Sequence, residues 1–348
     1  MLPSHRIECG GLNRAFLCGG PLVLVDRFGR NHTSLRVSVT DRCNLRCTYC
    51  MPAETPDYCE RDAILTFEEI ARVVRIAVEL GVDDVRLTGG EPLMRSQLHK
   101  LVSTIHEIEG VRKLSLTTNG ILLAEQLPAL YSAGLRSVNV SLDALDEASF
   151  LEATRRPGLQ RVLGAIEACR TMNVRVKINA IAMRGFTERQ IMAFGEFARS
   201  TEIPIRFIEF MPLDADGKWN AAGVLAGQRI LELFAEHVRP LVPLVQTDAS
   251  PARDYQFDDG KGCIGIIASV TEPFCGTCNR FRLTADGQLR NCLFGNDSGD
   301  VRALLRSGGN DALIAKLVIE AVAAKKRGHG TDDLSFGHTS RPMYSIGG

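Results

Sequence analysis

Six of the eleven cysteines in this 348-residue chain fall in two tight groups. Cys43, Cys47 and Cys50 form a C-x3-C-x2-C triplet within one short stretch, and Cys275, Cys278 and Cys292 form a second triplet. Three thiolates in one loop suit a 4Fe–4S cube, in which each cysteine holds one iron. A fourth cysteine would complete the set, but the first loop has none, so one iron stays open for a small ligand. A zinc site there would need a fourth Cys or His, usually with C-x2-C pairs. The second triplet leaves two readings open. It holds either a second cluster with an open iron or a structural zinc whose fourth ligand is His329 or His338. The other five cysteines, Cys9, Cys18, Cys59, Cys169 and Cys263, are scattered and read as small apolar residues. An odd cysteine count in a long chain argues against a disulfide framework.

Elements that could position these residues alternate along the chain. Strands are predicted over Leu35–Val39, Asp84–Thr88, Lys113–Thr117, Arg136–Leu142, Val174–Ile181 and Ile205–Met211. Helical periodicity lies between them, over about 97–108, 123–133, 158–172 and 188–200. One further helix starts at Thr66, with Glu69 three residues on as a capping box. Repeated βα units imply a parallel sheet with right-handed crossovers. Six of them predict an α/β fold built as an incomplete (β/α)6 barrel of the TIM type. The first cysteine triplet begins just past the C-terminal end of the first strand, where such barrels place their active sites.

These strands alternate, although buried parallel strands usually read as continuous apolar runs. Leu35, Val37 and Val39 share one face and Arg36 and Ser38 the other. Val85 and Leu87 oppose Arg86, and Val176 and Ile178 oppose Lys177. The apolar face packs against the helices, so the polar face lines the lumen. Unpaired charge is costly in a dry core, which makes the lumen wet or filled by a polar ligand.

Residues 241–262 lack helical periodicity and read as a boundary or a long irregular connection. Beyond them come the second triplet, a hairpin turning at Asp286-Gly287, and helices at about 300–306 and 311–326. The KKR at 325–327 reads as a solvated helix end. The division expected is an N-terminal extension over 1–20, a barrel over 21–240, and a smaller C-terminal domain over 241–348 that carries the second site.

Composition bounds the rest. Lys+Arg and Asp+Glu are 41 each, so zero net charge argues against nucleic-acid binding through bulk positive charge. A hydrophobic fraction of 45% and a mean hydropathy near zero allow a sizeable core and exclude disorder. No apolar run approaches the ~18 residues that span a bilayer. The first twenty residues lack the apolar stretch of a signal peptide. No membrane association and a cytoplasmic location are expected.

The first triplet, with Tyr49 before its last cysteine, resembles the signature of the radical S-adenosylmethionine (SAM) superfamily. Gly89-Gly90-Glu91-Pro92, directly after the second strand, matches that superfamily's second element. The stretches LTTNG (116–120), VNVSLDA (138–144), RFIEFMP (206–212), FCGTCNRFRLTADG (274–287) and the terminal Gly347-Gly348 extend the likeness from about Pro21 to the end. As a set they resemble the GTP 3′,8-cyclase family of molybdenum cofactor biosynthesis.

The resemblance implies two 4Fe–4S clusters, with SAM on the open iron of the first and the guanine of GTP on that of the second. Reductive cleavage of SAM gives a 5′-deoxyadenosyl radical that removes hydrogen from C3′ of GTP. The ribose radical then attacks C8, giving 3′,8-cyclo-7,8-dihydroguanosine 5′-triphosphate. Tyr49, Gly90, Ser141 and Met211 are then SAM contacts, Tyr49 through its backbone. Arg36, Arg86, Thr117, Lys177, Arg280 and Arg282 are GTP contacts. Arg280, Arg282 and the mobile Gly347-Gly348 tail take part in catalysis. A one-electron reductant, a downstream cyclic pyranopterin monophosphate synthase and a homodimer are the implied partners. Asn119 and Asp143 also sit near strand ends and rank second. Two alternatives remain: a radical SAM peptide-modifying enzyme with an auxiliary cluster, and a zinc-stabilised nucleotide-binding protein without catalysis. The first would tend to carry more auxiliary cysteines. The second leaves the Gly-Gly-Glu-Pro turn unexplained.

Overall fold

A computed structural model describes residues 23–246, 249–328 and 341–348. The expected N-terminal extension, His329 and His338 lie outside the described residues. Twelve strands form one sheet: β1 (Ser34–Ser38), β2 (Asp84–Thr88), β3 (Lys113–Thr118), β4 (Ser137–Ser141), β5 (Arg175–Ala182), β6 (Ile205–Glu209), β7 (Leu241–Pro243), β8 (Arg253–Phe257), β9 (Cys263–Ile267), β10 (Arg280–Leu283), β11 (Gln288–Arg290) and β12 (Gly299–Asp300). Their order is β12-β11-β10-β1-β2-β3-β4-β5-β6-β9-β8-β7. The helices are α1 (Phe67–Glu79), α2 (Leu98–His106), α3 (Leu123–Ser132), α4 (Glu147–Thr154), α5 (Leu159–Thr171), α6 (Ile191–Thr201), α7 (Gly227–His237), α8 (Val301–Arg306), α9 (Asp311–Ala323) and the single turn α10 (Met343–Ile346).

Strands β1 to β6 run parallel in sequence order, joined by helices, as the open barrel requires. Their apolar faces are sealed by the helices. Leu35, Val37, Val85 and Leu87 are fully buried, as are Ile70, Val73 and Val74 of α1. The capping box at the start of α1 forms as expected, with Glu69 N donating to Thr66 Oγ1 and Thr66 N to Glu69 Oε2.

The sheet runs on through the residues after 240. β10 adds to β1 and β9 to β6, both parallel, so eight parallel strands lie side by side. Beyond them sit antiparallel edges, β11–β12 on one side and β8–β7 on the other. The expected irregular connection over 241–262 therefore contains the β7–β8 hairpin. It escapes a periodicity reading because β7 has three residues and β8, Arg-Asp-Tyr-Gln-Phe, is mostly polar. Phe194, Phe207, Phe234 and Phe257 stack edge-on at 5.5, 5.6 and 5.9 Å and tie α6, β6, α7 and β8 together. Each such contact contributes about 1 kcal/mol beyond its buried area. Among the described residues no helix is long and apolar enough to cross a membrane.

Candidate active site

The polar strand faces enclose one cavity of about 780 Å³. Arg36 enters it from β1, Arg86 from β2, Thr117 from β3, Ser141 from β4, Lys177 from β5, and Arg280 and Arg282 from β10. Gly90, Met211, Tyr49, Gly348 and all six cysteines of the two triplets line it too. Of the described candidates only Gly347 and the second-ranked Asp143 are not on its wall, and Gly347 is bonded to one that is.

The two triplets sit at opposite ends of the strands. Cys43 follows the C-terminal end of β1. Cys275 and Cys278 lie beside the N-terminal end, where Ser34 N donates to Asn279 O at 3.1 Å. The turn at Asp286-Gly287 folds β11 back on β10 and returns Cys292 to the same end, with Gly287 at φ +82°. All six sulfurs are free thiols.

A strap of backbone fixes the first triplet. Gly90 N donates to Thr40 O at 2.6 Å and Glu91 N to Arg42 O at 2.7 Å, immediately ahead of Cys43. A Cβ on Gly90 would lie 2.5 Å from the carbonyl oxygens of Asp41 and Arg42, so only glycine permits the approach. Burial pushes the Cys43 thiol up to about 11 and those of Cys47 and Cys50 higher. Cys43 Sγ accepts from Leu45 N at 3.5 Å and Asn119 Nδ2 at 3.8 Å. Three half-buried sulfurs whose surroundings disfavour the lone thiolate, with N–H donors already offered to Cys43, fit a group that brings its own positive charge. At the second triplet the balance is reversed. Burial alone would raise the Cys278 thiol, but the charges of Arg280 and Lys325 outweigh it and hold it at about 6. Among the described residues no three His, Cys, Asp or Glu side chains close on a single ion.

Between the two ends lies a rank of arginines. Arg36 is the register partner of Arg282 on one side and of Arg86 on the other. Burial, then the charges of Arg282, Arg86 and Arg280, drive the Arg36 guanidinium well below its ordinary range, with Asp84 in weak opposition. Burial and Arg280 pull Arg282 down to about 9. A guanidinium stays protonated at physiological pH, so these shifts express an unmet demand for negative charge.

The C-terminal tail reaches into the same lumen. Arg282 Nη1 donates to Gly347 O, and Thr88 Oγ1 donates to Gly348 O at 2.6 Å. Arg341 grips Asp286 with two bonds of 2.9 and 2.7 Å, and Tyr344 packs edge-on against Tyr58.

Several residues here carry more than their sequence pattern showed. Glu91 lies within the Gly-Gly-Glu-Pro turn but stands out only in three dimensions. It accepts from Leu93 N, Thr118 Oγ1 and Asn119 N, and burial still raises its carboxyl to about 7. Asp143, ranked second above, is raised to about 6 by burial, and it accepts from Ile181 N and the Tyr49 hydroxyl at 2.8 and 2.7 Å. The Tyr49 side chain thus has a structural partner of its own. Lys325 corrects the reading of KKR as a solvated helix end. It is 4% exposed, and its ammonium donates to Arg280 O and Asn291 O. A charge run gives no sign of carbonyls brought in from elsewhere in the chain.

Comparison with known proteins fits this geometry. Residues 37–198 match the model of the radical SAM superfamily, and residues 203–331 match that described as Molybdenum Cofactor Synthesis C. GTP 3′,8-cyclase of Rhodopirellula baltica is 45% identical over 333 residues, 94% of this chain and 93% of that one. Mouse molybdenum cofactor biosynthesis protein 1 is 41% identical over 93% of this chain, which spans 51% of its length. Streptococcus suis SuiB bound to S-adenosylmethionine superposes with a TM-score of 0.57 at 13% identity, covering 93% of this chain and 78% of that one, a likeness of fold alone. The chain belongs to the GTP 3′,8-cyclase family of the radical SAM superfamily.

Proposed function

We propose that this protein converts GTP into 3′,8-cyclo-7,8-dihydroguanosine 5′-triphosphate, the first step of molybdenum cofactor biosynthesis. One observation carries the reading. The Arg282–Arg36–Arg86 rank stands inside the cavity, and the Arg36 guanidinium meets no hydrogen-bond acceptor among the described residues. A triphosphate supplies the several negative charges such a rank requires. Family membership names GTP as its bearer.

Cys43, Cys47 and Cys50 would hold the cluster that binds SAM, and Cys275, Cys278 and Cys292 the cluster that faces guanine. When bound, SAM and its reduced cluster supply the 5′-deoxyadenosyl radical that takes hydrogen from C3′ of the ribose. The chain's own residues bind and orient. Arg36, Arg86, Lys177, Arg280 and Arg282 hold the triphosphate and fix the ribose against the first triplet, with Thr117 on the same wall. Tyr49, Gly90, Ser141 and Met211 shape the SAM end. Arg282 holds Gly347, so Gly347 and Gly348 close the lumen beside the nucleotide and exclude water from a reactive intermediate.

We read residues 21–240 as the SAM-binding barrel and 241–348 as the part that brings the second triplet. A one-electron donor and a downstream cyclic pyranopterin monophosphate synthase follow from the reaction. A homodimer and a cytoplasmic location rest on family resemblance. The peptide-modifying alternative gains nothing from SuiB, whose low identity carries only the fold.

The product tests the reading. Its ring closure conserves atoms: the hydrogen lost from C3′ leaves in 5′-deoxyadenosine, and one electron and one proton restore the balance at the guanine. Anaerobic enzyme with dithionite, SAM and GTP should therefore form a chromatographically distinct isomer of GTP together with 5′-deoxyadenosine and methionine. Deoxyadenosine formed beside unchanged GTP would overturn it.

A further inference from the structure

Ahead of β1 the chain folds back on itself, with Asp26 N donating to Arg30 O at 3.1 Å and Val25 bridging Asn31. Inside this turn lie three ionisable side chains that the reaction does not use. The Asp26 and His32 side chains are fully covered and that of Arg30 nearly so. Arg30 Nε donates to Asp26 Oδ2 at 2.6 Å, and His32 Nε2 lies 3.1 Å from the same oxygen. Asp26 Oδ1 accepts from the backbone N–H of Phe28 and Arg30 at 2.8 and 3.1 Å. The carboxylate is thus fully engaged and fixes the plane of the guanidinium.

The other two guanidinium nitrogens reach across the chain to backbone carbonyls. Nη1 donates to Cys275 O at 2.7 Å and Arg327 O at 2.9 Å, and Nη2 donates to Lys326 O at 2.7 Å. Alongside, Lys325 Nζ donates to Arg280 O at 2.7 Å and Asn291 O at 2.5 Å. These acceptors cover every part of the second triplet: Cys275 itself, the second residue after Cys278, and the residue before Cys292.

We propose that Arg30, set by Asp26, and Lys325 are positioning residues of the second cysteine triplet. They clamp its three segments by their carbonyls. A buried cation is retained only where it is paired and its donors are used, and both conditions hold for Arg30. A planar fork can hold carbonyls from two segments while pinned to a carboxylate, and a lysine in its place cannot. Partners outside the ligand set orient ligands and tune the metal. The proposal rests on the reading of this triplet as a cluster site.

Anaerobically reconstituted full-length protein tests it, with Arg30→Lys, Arg30→Met and Lys325→Met compared to wild type. Iron and sulfide per chain and the GTP-induced change in the electron paramagnetic resonance spectrum report the second site. Reductive cleavage of SAM without GTP reports the first. Arg30→Met and Lys325→Met should lower metal affinity at the second site about tenfold or more and leave SAM cleavage within about twofold. Arg30→Lys keeps the Asp26 pair, and with it the turn. It should retain more iron but raise the KM for GTP severalfold with little change in kcat. Full iron and an unchanged GTP-induced spectrum in all three variants would overturn the clamp, as would equal loss at both sites. Should Arg30→Met fail to fold, the other two variants decide on the same readouts. About four irons per chain in wild type would overturn the cluster reading itself, whereas about eight in every variant overturns only the clamp.

Discussion

Arg36 on β1 and Arg282 on β10 are register partners across two parallel strands, and Arg86 on β2 flanks Arg36 on its other side. Without nucleotide this rank is a cost: three like charges crowd the wall of one lumen, their guanidiniums partly withdrawn from water. Replacing Arg36 with Met should leave the nucleotide-free protein as stable as wild type, or stabilise it by about 1 kcal/mol. The same change should weaken GTP binding by about tenfold to a hundredfold, the worth of one or two charge-assisted bonds to phosphate. Calorimetric titration with GTP, beside thermal melts without it, checks both. A lower melting temperature with unchanged affinity would assign Arg36 to the scaffold.

Gly347 is bound by Arg282 in a conformation closed to other residues. Its φ is +90°, and an added Cβ would lie 2.8 Å from Ser38 Cβ and 3.1 Å from Thr88 Cγ2. Gly347→Ala should expel the last two residues from the lumen, at a strain cost of about 1–2 kcal/mol if they stayed. Arg341 and Tyr344 keep the rest of the tail docked. Cyclisation of GTP should fall about tenfold or more, with the melting temperature within about 2 °C of wild type. Unchanged turnover would remove the tail from the mechanism.

Glu91 offers acceptors only to donors: Leu93 N and Thr118 Oγ1 at one oxygen, Asn119 N at the other. In Glu91→Gln an NH2 must face one of these donors. The buried mismatch should destabilise the fold by about 1–3 kcal/mol. It should also loosen Asn119, which donates to Cys43 Sγ and Asn44 Oδ1. Thermal melts and SAM affinity should fall together. A variant that melts like wild type would mean that water or a rotated side chain satisfies the site.

Asp26 ties the N-terminal turn to pH. Burial would raise its carboxyl, but the hydrogen bonds from His32, Arg30 and Phe28 reverse that and hold it at about 2, below the ordinary 3.8. As pH falls, the unfolded chain therefore takes up the proton first. The stabilisation is complete above about pH 4 and is lost as pH drops through 2, and it amounts to about 2 kcal/mol. Denaturant unfolding of wild type and Asp26→Asn should differ most near neutral pH and converge towards pH 2. A difference that grows on acidification would contradict the sign.

What the sequence carries and what it hides follow from the range of each signal. The cysteine spacings, the Gly-Gly-Glu-Pro turn and the alternating faces of β1, β2 and β5 are local patterns, and all converge on one cavity. The hairpin at Asp286-Gly287 is equally local, and it returns Cys292 as expected. Helix α7 is open to the same reading, since Ile230, Leu233 and Phe234 repeat at helical spacing and are buried, although it falls outside the helices expected above. Other features have no local signature. Arg30 meets Cys275 across 245 residues, and Tyr49 meets Asp143 across 94. Nor does any pattern within β9 or β10 announce that they add in parallel to opposite edges of the barrel sheet.

The most direct test of the central claim follows one hydrogen. Anaerobic reconstituted enzyme is given dithionite, SAM and GTP carrying deuterium at C3′, and the 5′-deoxyadenosine is examined by mass spectrometry. Hydrogen abstraction from the nucleotide held by Arg36, Arg86 and Arg282 predicts deoxyadenosine one mass unit heavier, formed together with the cyclised product. Deoxyadenosine without deuterium, from protein that carries both clusters and binds GTP, would contradict the assignment of GTP as the substrate.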